Sequence, residues 1–155
     1  MTERPALLFV CLGNICRSPL VEAAMRQVAE RDGLDILVES AATASYHIGK
    51  PIDERSLIVA RKHGADLSSH RARRVTPDDF MRFTHIFAVD QGVLKSLRVM
   101  VPDSPKAHLE LLLDNVPGRK GDSIADPFFS EQEAFDITWA DSMAAAEALA
   151  LRFSS

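Results

Sequence analysis

The residues best suited to chemistry lie together in one segment, Val10-Cys-Leu-Gly-Asn-Ile-Cys-Arg-Ser-Pro19. Its first cysteine is followed, after five intervening residues, by Arg17 and Ser18. The apolar run 6–10 before it predicts a buried strand, while Ser18 and Pro19 predict a helix start with Ser18 as N-cap. A loop that enters a helix N-terminus gathers unpaired backbone N–H groups and the positive end of the helix dipole. The segment therefore predicts an anion site, with the sulfur of Cys11 beneath the anion.

Each residue type in the loop suits a nucleophile that attacks phosphate. We expect Gly13 to allow close backbone approach and a positive φ, and Asn14 is the next most tolerant residue for a left-handed conformation. The planar guanidinium of Arg17 can bridge two phosphate oxygens. The same donors favour a thiolate at Cys11, to which the Ser18 hydroxyl can donate. An acyl-transfer cysteine would need a histidine base, and none lies near this loop in sequence.

The rest of the chain alternates short apolar runs with helical segments, which is typical of βαβ units around a parallel sheet. We predict a first helix that stops at Gly33, a helix capped by Asp53, a short helix opened by Thr76, and a last helix opened by a capping box at 130–133. Further strands are expected over 35–39 and 84–89, and a helix is expected through Leu94 and Leu97. The aromatic side chains of the last helix are expected to pack on the sheet.

Composition places the chain among globular proteins with one domain, which we expect to cover residues 1–155. It has 155 residues, of which 46% are hydrophobic and 26% charged. A net charge of −4 argues against a general nucleic-acid binder. The apolar run 6–12 is too short to span a bilayer and lacks a signal-peptide layout, so we expect a cytoplasmic protein without a membrane partner. Two cysteines alone make a poor zinc site, and no metal or other cofactor is expected.

The loop, together with further segments along nearly the whole chain, resembles the low-molecular-weight protein tyrosine phosphatase family. Those segments are Ser40-Ala-Ala-Thr43, Tyr46-His47, His70-Arg-Ala-Arg73, Val89-Asp90 and Ile124-Ala-Asp126-Pro127. The resemblance implies a flavodoxin-like α/β fold, a three-layer α/β/α sandwich around a four-stranded parallel sheet. The site would lie at the carboxyl end of the first strand, where such sheets bind ligands.

The resemblance also implies roles for individual residues. Cys11 would form a phosphocysteine, Arg17 would bind the phosphate, and Asp126 would be the general acid that later activates water. An Asp-Pro pair by itself marks only a turn, so the role of Asp126 depends on the cysteine loop. The remaining implied site residues are Leu12, Gly13, Asn14, Ile15, Cys16 and Ser18 in the phosphate-binding loop, Ser40 and His70 as its support, and Tyr46, Phe128 and Phe129 at the rim. For His70, an ordinary structural histidine remains an equal interpretation.

The implied reaction is hydrolysis of phosphotyrosine in a protein, with inorganic phosphate as product. Three alternatives remain. An arsenate reductase of the same fold would need cysteines beyond Cys11 and Cys16, and a protein-arginine phosphatase typically has threonine in place of Ile15. A non-catalytic phosphate-binding module would be expected to lack Cys11, Arg17 or Asp126. Tyrosines are common in the family where Phe128 and Phe129 stand, so phosphorylation at these positions is excluded. The family also carries a cysteine matching Cys16 that captures oxidised Cys11 as a disulfide, although Cys16 could equally only pack under the loop.

Overall fold

The computed structural model describes residues 3–154, and its centre is a parallel sheet with strand order β2-β1-β3-β4. The strands are β1 (Ala6–Cys11), β2 (Leu37–Ala42), β3 (His85–Ala88) and β4 (His108–Leu111). The helices are α1 (Arg17–Asp32), α2 (Glu54–Lys62), α3 (Asp79–Arg82), α4 (Gln91–Met100) and α5 (Gln132–Phe153), with a 3-10 helix at Leu112–Asn115. Among residues 3–154, no helix combines the length and apolar character that crossing a bilayer requires.

The side chains of β1 alternate between two cores, which makes the molecule three-layered as predicted. Leu7 and Phe9 join a cluster with residues of α1, α2 and α5. Leu8 and Val10 join a second cluster with residues of α3 and α4. All four side chains are fully buried, because a parallel strand in the middle of a sheet is covered on both faces.

The carboxyl end of β1 is where the chain changes direction across the sheet. Through α1 the chain reaches β2 on one side of β1, and it later returns as β3 on the other side. Loops that leave β1 and β3 therefore separate at this edge, which is the usual position of a ligand crevice in such sheets. The register places Cys11 beside Ala42 of β2, and Val10 beside Ala88 of β3.

Two predicted helix starts are wrong. The first helix begins at Arg17, with Cys16 at the N-cap and no capping side chain, so Ser18 lies inside the first turn. The capping box is also absent, since α5 has Glu131 at its N-cap without a side-chain cap. By contrast, Asp53 caps α2 as predicted by accepting from the Arg55 amide.

The first and third strands lie where they were predicted, to within one residue, but the other two strands do not. The first helix ends at Gly33, which has the expected left-handed φ of 66°. The second strand lies at Leu37–Ala42, not at 35–39. Strand β4 has only four residues, follows a stretch rich in proline and serine, and was not located.

The aromatic residues of α5 join the core cluster on one face of the sheet, in agreement with the prediction, and they also contact the neighbouring helical layer. Trp139 stacks on His63, with ring centroids 4.8 Å apart. Phe135 is fully buried and lies 4.5 Å below the guanidinium of Arg55. Of these aromatics, Phe153 reaches the sheet through an edge contact with His85 at 4.9 Å.

Candidate active site

The loop between β1 and α1 has its carbonyl oxygens held from outside. Donors from three other parts of the chain reach five of these carbonyls. The amides of Thr43 and Ala44 donate to Cys11 O and Leu12 O, respectively, and His70 Nε2 donates to Asn14 O. At the start of α2, the Asp53 amide donates to Ile15 O and the Ser56 hydroxyl donates to Cys16 O. Within residues 3–154, the amides of Gly13 and Ile15 have no acceptor. The loop therefore offers N–H donors to an anion while its carbonyls are already paired.

Gly13 and Asn14 were both expected to tolerate a left-handed backbone conformation, but only one of the two has it. Asn14 has a left-handed φ of 59°, as predicted. Gly13 is not left-handed, so that expectation is wrong. Its close approach to another residue is confirmed, since a Cβ on Gly13 would lie 2.8 Å from Cδ2 of His47, so the ring would have to move.

The sulfur of Cys11 lies at the floor of the site within reach of two hydrogen-bond donors. The Ser18 hydroxyl is 3.0 Å from Sγ, and the amide of Asn14 donates to Sγ at 3.1 Å. Cys11 is only 2% exposed. Both contacts favour negative charge on the sulfur, because buried charge is tolerated only where donors surround it.

A chain of side chains fixes the direction of the hydrogen bond from Ser18. A Glu22 carboxylate can only accept, so Ser40 Oγ donates to it, at 2.6 Å. Ser40 Oγ then accepts from Asn14 Nδ2 at 2.9 Å, and the same amide donates to Ser18 Oγ at 2.8 Å. The Arg73 amide donates to Asn14 Oδ1, which fixes the amide orientation. With its oxygen accepting from Asn14, Ser18 can donate its proton to Cys11 Sγ at 3.0 Å, which is nearer than its other acceptor, the carbonyl of Ala41 at 3.5 Å.

Arg17 is held by two groups that leave one end of its guanidinium towards the cavity. Nη1 donates to Asp90 Oδ2 at 2.6 Å and to the carbonyl of Ile124 at 3.0 Å. Nη2 lies 3.6 Å from Asp126 Oδ2. The side chain is only 4% exposed, so Arg17 is a pre-positioned cation.

The Asp126 carboxyl lies across the cavity from the cysteine loop, on a segment fixed separately. Its Oδ1 accepts from the amide of Phe128 at 3.1 Å, and its side chain is 44% exposed. Arg55 donates to the carbonyls of Phe128 and Ser130, both at 2.9 Å, while paired with Asp53 at 2.8 Å. The segment is thereby tied to the start of α2.

A cavity of about 270 Å³ lies above the sulfur, and most of the predicted site residues border it. The rim residues Tyr46 and Phe129 are strongly exposed, whereas Phe128 is partly buried. Asn14, Ser18, Ser40 and His70 lie beneath or beside the loop and do not border the cavity. The lining residues are Cys11, Leu12, Gly13, Ile15, Cys16, Arg17, Tyr46, His47, Asp126, Phe128 and Phe129.

The second cysteine has surroundings opposite to those of the first. Burial raises the pKa of the Cys16 thiol far above its usual range, and the nearby charge of Asp53 adds to the rise. Cys16 therefore remains a neutral thiol at physiological pH. Both cysteines are free and buried.

Four residues of the site were given no role from the sequence: Glu22, His47, Arg55 and Asp90. Glu22 and Arg55 lie on helix surfaces, where a charged residue is normal and carries no signal. His47 and Asp90 stand within segments that carry the resemblance, but nothing in their spacing to the loop reveals a contact. Only the fold brings Asp90 to Arg17, across 73 positions of sequence.

Comparison with known proteins identifies the class of this site. The family model described as low molecular weight phosphotyrosine protein phosphatase matches residues 6–153. The low molecular weight phosphotyrosine protein phosphatase 2 of Drosophila melanogaster is 41% identical, over 86% of this chain and 82% of that one. The chain belongs to the low molecular weight phosphotyrosine protein phosphatase family, a family of hydrolases.

Solved structures agree with this assignment. A protein tyrosine phosphatase from Entamoeba histolytica with Hepes in its active site has a TM-score of 0.89 and 33% identity, covering 96% of each chain. A structure described as DARP, drosophila arginine phosphatase, has a TM-score of 0.90 and 28% identity, covering 96% of this chain and 98% of that one. The fold is therefore shared by proteins named for two different phosphorylated residues.

The contact between Asp90 and Arg17 generates a first prediction. Asp90→Asn keeps an oxygen to cap α4 at the amide of Val93 but removes the charge that orients Arg17. We expect kcat/KM for an aryl phosphate to fall roughly 10- to 100-fold, since displacements near 1 Å cost this much. The urea midpoint should fall as well, because the buried Arg17 loses its nearest counter-charge, so activity is compared under conditions in which both variants are folded. Asp122→Asn, at an exposed pair with Arg119, is the control, and an equal effect of both changes would contradict this role for Asp90.

Proposed function

We propose that this chain hydrolyses phosphotyrosine in proteins through a phosphocysteine at Cys11. The observation that carries the proposal is the buried sulfur, supplied with two donors, at the floor of a cavity that Arg17 and Asp126 also border. Membership of the phosphatase family supports the same activity. Cys11, Arg17 and Asp126 are the residues we assign to the chemistry.

In the first step, the Cys11 thiolate attacks phosphorus and the bond from phosphorus to the tyrosine oxygen breaks. Asp126 gives its proton to that oxygen, so tyrosine leaves as a neutral phenol. In the second step, the Asp126 carboxylate takes a proton from water as the water attacks phosphorus. The sulfur–phosphorus bond then breaks, which restores the thiolate and releases inorganic phosphate.

The loop amides and Arg17 stabilise the phosphoryl group during both steps. The equatorial oxygens carry charge that preorganised donors can meet without rearrangement. Because Asp90 and Ile124 O hold Nη1, the guanidinium keeps its orientation between the two steps. A lysine in place of Arg17 offers a point charge without this fork.

Aromatic walls above the loop favour an aryl phosphate. Tyr46, Phe128 and Phe129 border the cavity, and flat side chains of this kind clasp a phenyl ring. The phosphate must descend past this rim to reach the sulfur, so the short arm of phosphoserine is disfavoured.

Phosphoarginine is the second candidate substrate, because a structure named as an arginine phosphatase shares this fold. Its arm is also long enough to cross the rim. Ile15, 8% exposed and bordering the cavity, supports phosphotyrosine because an apolar side chain offers no partner to a guanidinium.

A substrate comparison tests the proposed function directly. Phosphotyrosine peptides should be hydrolysed at least tenfold faster, by kcat/KM, than phosphoarginine or phosphoserine peptides of the same sequence. Cys11→Ser should bind phosphate but hydrolyse none of them, since a hydroxyl is a far weaker nucleophile here. A preference for phosphoarginine would show that the interpretation of Ile15 is wrong, and activity in Cys11→Ser would exclude the phosphocysteine.

The role of Asp126 is tested with a series of leaving groups. Asp126→Asn should lower turnover by roughly 10²–10⁴ for an unactivated phenol, because the leaving oxygen then lacks a proton donor. The loss should shrink for p-nitrophenyl phosphate, whose leaving group needs little protonation. An equal loss across the series would mean that Asp126 has only a structural role.

We further propose that the enzyme is cytoplasmic and that Cys16 protects Cys11 from irreversible oxidation. A reducing compartment keeps the catalytic thiol free. Peroxide converts the Cys11 thiolate to a sulfenic acid, and the Cys16 thiol then displaces water to form a disulfide. Burial of the neutral Cys16 thiol makes this capture slower than attack by a thiolate would be.

Peroxide treatment tests whether Cys16 protects Cys11 from oxidation or only packs beneath the loop. The native enzyme should lose activity and regain it with dithiothreitol, and phosphate should slow the loss by covering Cys11. Cys16→Ser should keep most of its activity before treatment but fail to recover, because Cys11 proceeds to the sulfinic acid. Full recovery of Cys16→Ser after the same dose would leave Cys16 with a packing role only.

A further inference from the structure

His47 borders the cavity, yet the proposed mechanism gives it no part. It lies in the turn that follows β2, and its ring faces Phe128 at 5.9 Å between centroids. Its other aromatic neighbour, Tyr46, meets it edge-on at 6.4 Å. The imidazole thus stands between two aromatic residues of the rim.

The ring also rests directly on the phosphate-binding loop. A Cβ on Gly13 would lie 2.8 Å from His47 Cδ2 and 3.6 Å from Nε2, and the first of these distances is shorter than real Cβ contacts allow. Because Gly13 is not left-handed, its backbone conformation alone does not exclude alanine. A side chain at position 13 would therefore displace the imidazole from its present place on the loop.

Two observations indicate that the imidazole ring of His47 does not stabilise the turn in which it lies. The turn is anchored by backbone bonds, from Ala44 N to Leu12 O and from Lys50 N to His47 O, which any side chain at position 47 can keep. Meanwhile Nδ1 of His47 is buried with no hydrogen-bond partner among residues 3–154. An unsatisfied buried nitrogen is unfavourable for folding, so the ring is better explained by what it does in the cavity.

We propose that His47 is a positioning residue that forms one wall for the substrate's aromatic ring, with the imidazole seated on Gly13. This inference rests on the proposed function, because it concerns how an aryl phosphate is held above Cys11. A flat wall fixed to the loop sets the distance between the aryl ring and the sulfur. Phosphate alone, bound by the loop amides and Arg17, does not use this wall.

Replacement of the ring tests the wall. His47→Ala should raise KM for a phosphotyrosine peptide about three- to tenfold, the range expected for loss of an aromatic contact. The inhibition constant of inorganic phosphate should stay within about twofold. Ile48→Ala is the matched control, since this exposed neighbour does not border the cavity. An unchanged KM in His47→Ala, or an equal weakening of phosphate, would overturn the proposal.

A double-mutant cycle tests the contact with Gly13. In the native background, Gly13→Ala should displace the imidazole and lower kcat/KM for the peptide. In the His47→Ala background the same change should cost several-fold less, because the obstructing ring is gone. Equal losses in both backgrounds would overturn the contact. Failure of the proposed function itself would be seen separately, as turnover of aryl phosphate by Cys11→Ser.

Discussion

The structure around β1 centres on one requirement of the proposed mechanism, that the sulfur of Cys11, although almost excluded from solvent, carries negative charge. Burying an unpaired charge is prohibitively unfavourable, so Cys11 needs donors that are already in place. The Asn14 amide and the Ser18 hydroxyl supply two of them, within 3.1 Å. Asn14 can do so only with the left-handed φ of 59°, and its side chain then orients Ser18 as well. One residue thereby sets the loop path and the direction of a catalytic hydrogen bond.

The two halves of the site meet at Arg17, and both are also anchored at the start of α2. The cysteine loop is fixed by β2, α2 and the segment around His70, which bond its carbonyls. The segment with Asp126 is fixed by Arg55, whose guanidinium lies over Phe135 in the helical core. Arg17 joins both halves through the carbonyl of Ile124 and the ion pair with Asp126. The distance between Cys11, the proposed nucleophile, and Asp126, the proposed acid, therefore depends on packed helices and not on loop flexibility.

The sequence predicted those parts of the site that are local, and missed those that the fold brings together. The anion loop, the left-handed Asn14 and the hydroxyl beside the sulfur all follow from residues next to one another. The error on Ser18 arises because the helix already begins at Arg17, so Ser18 lies inside the first turn, where its oxygen accepts from the Asn14 side chain and not from a helix amide. The positive φ expected at Gly13 is absent, and its close contact with His47 was not predicted because the two residues are distant in sequence. Asp90, Glu22 and Arg55 gave no signal, since charged residues are ordinary on helix surfaces and at strand ends. In the fold, strand β4 was missed because it is largely exposed or half-buried and has no continuous apolar run, whereas β3, which is equally short, is mostly buried and apolar.

The two cysteines of the loop show how position decides chemistry within one short segment. Cys11 lies where amides and a hydroxyl converge, so negative charge on its sulfur is stabilised. Cys16 lies five residues later, buried beside Asp53, and both burial and that carboxylate raise the pKa of its thiol. A second thiolate would add negative charge beside an incoming phosphate and weaken its binding. The acidic neighbour that suppresses ionisation of Cys16 is the residue that caps α2 and pairs with Arg55. Asp53 therefore helps to anchor the segment with Asp126 and, together with burial, helps to keep Cys16 a neutral thiol.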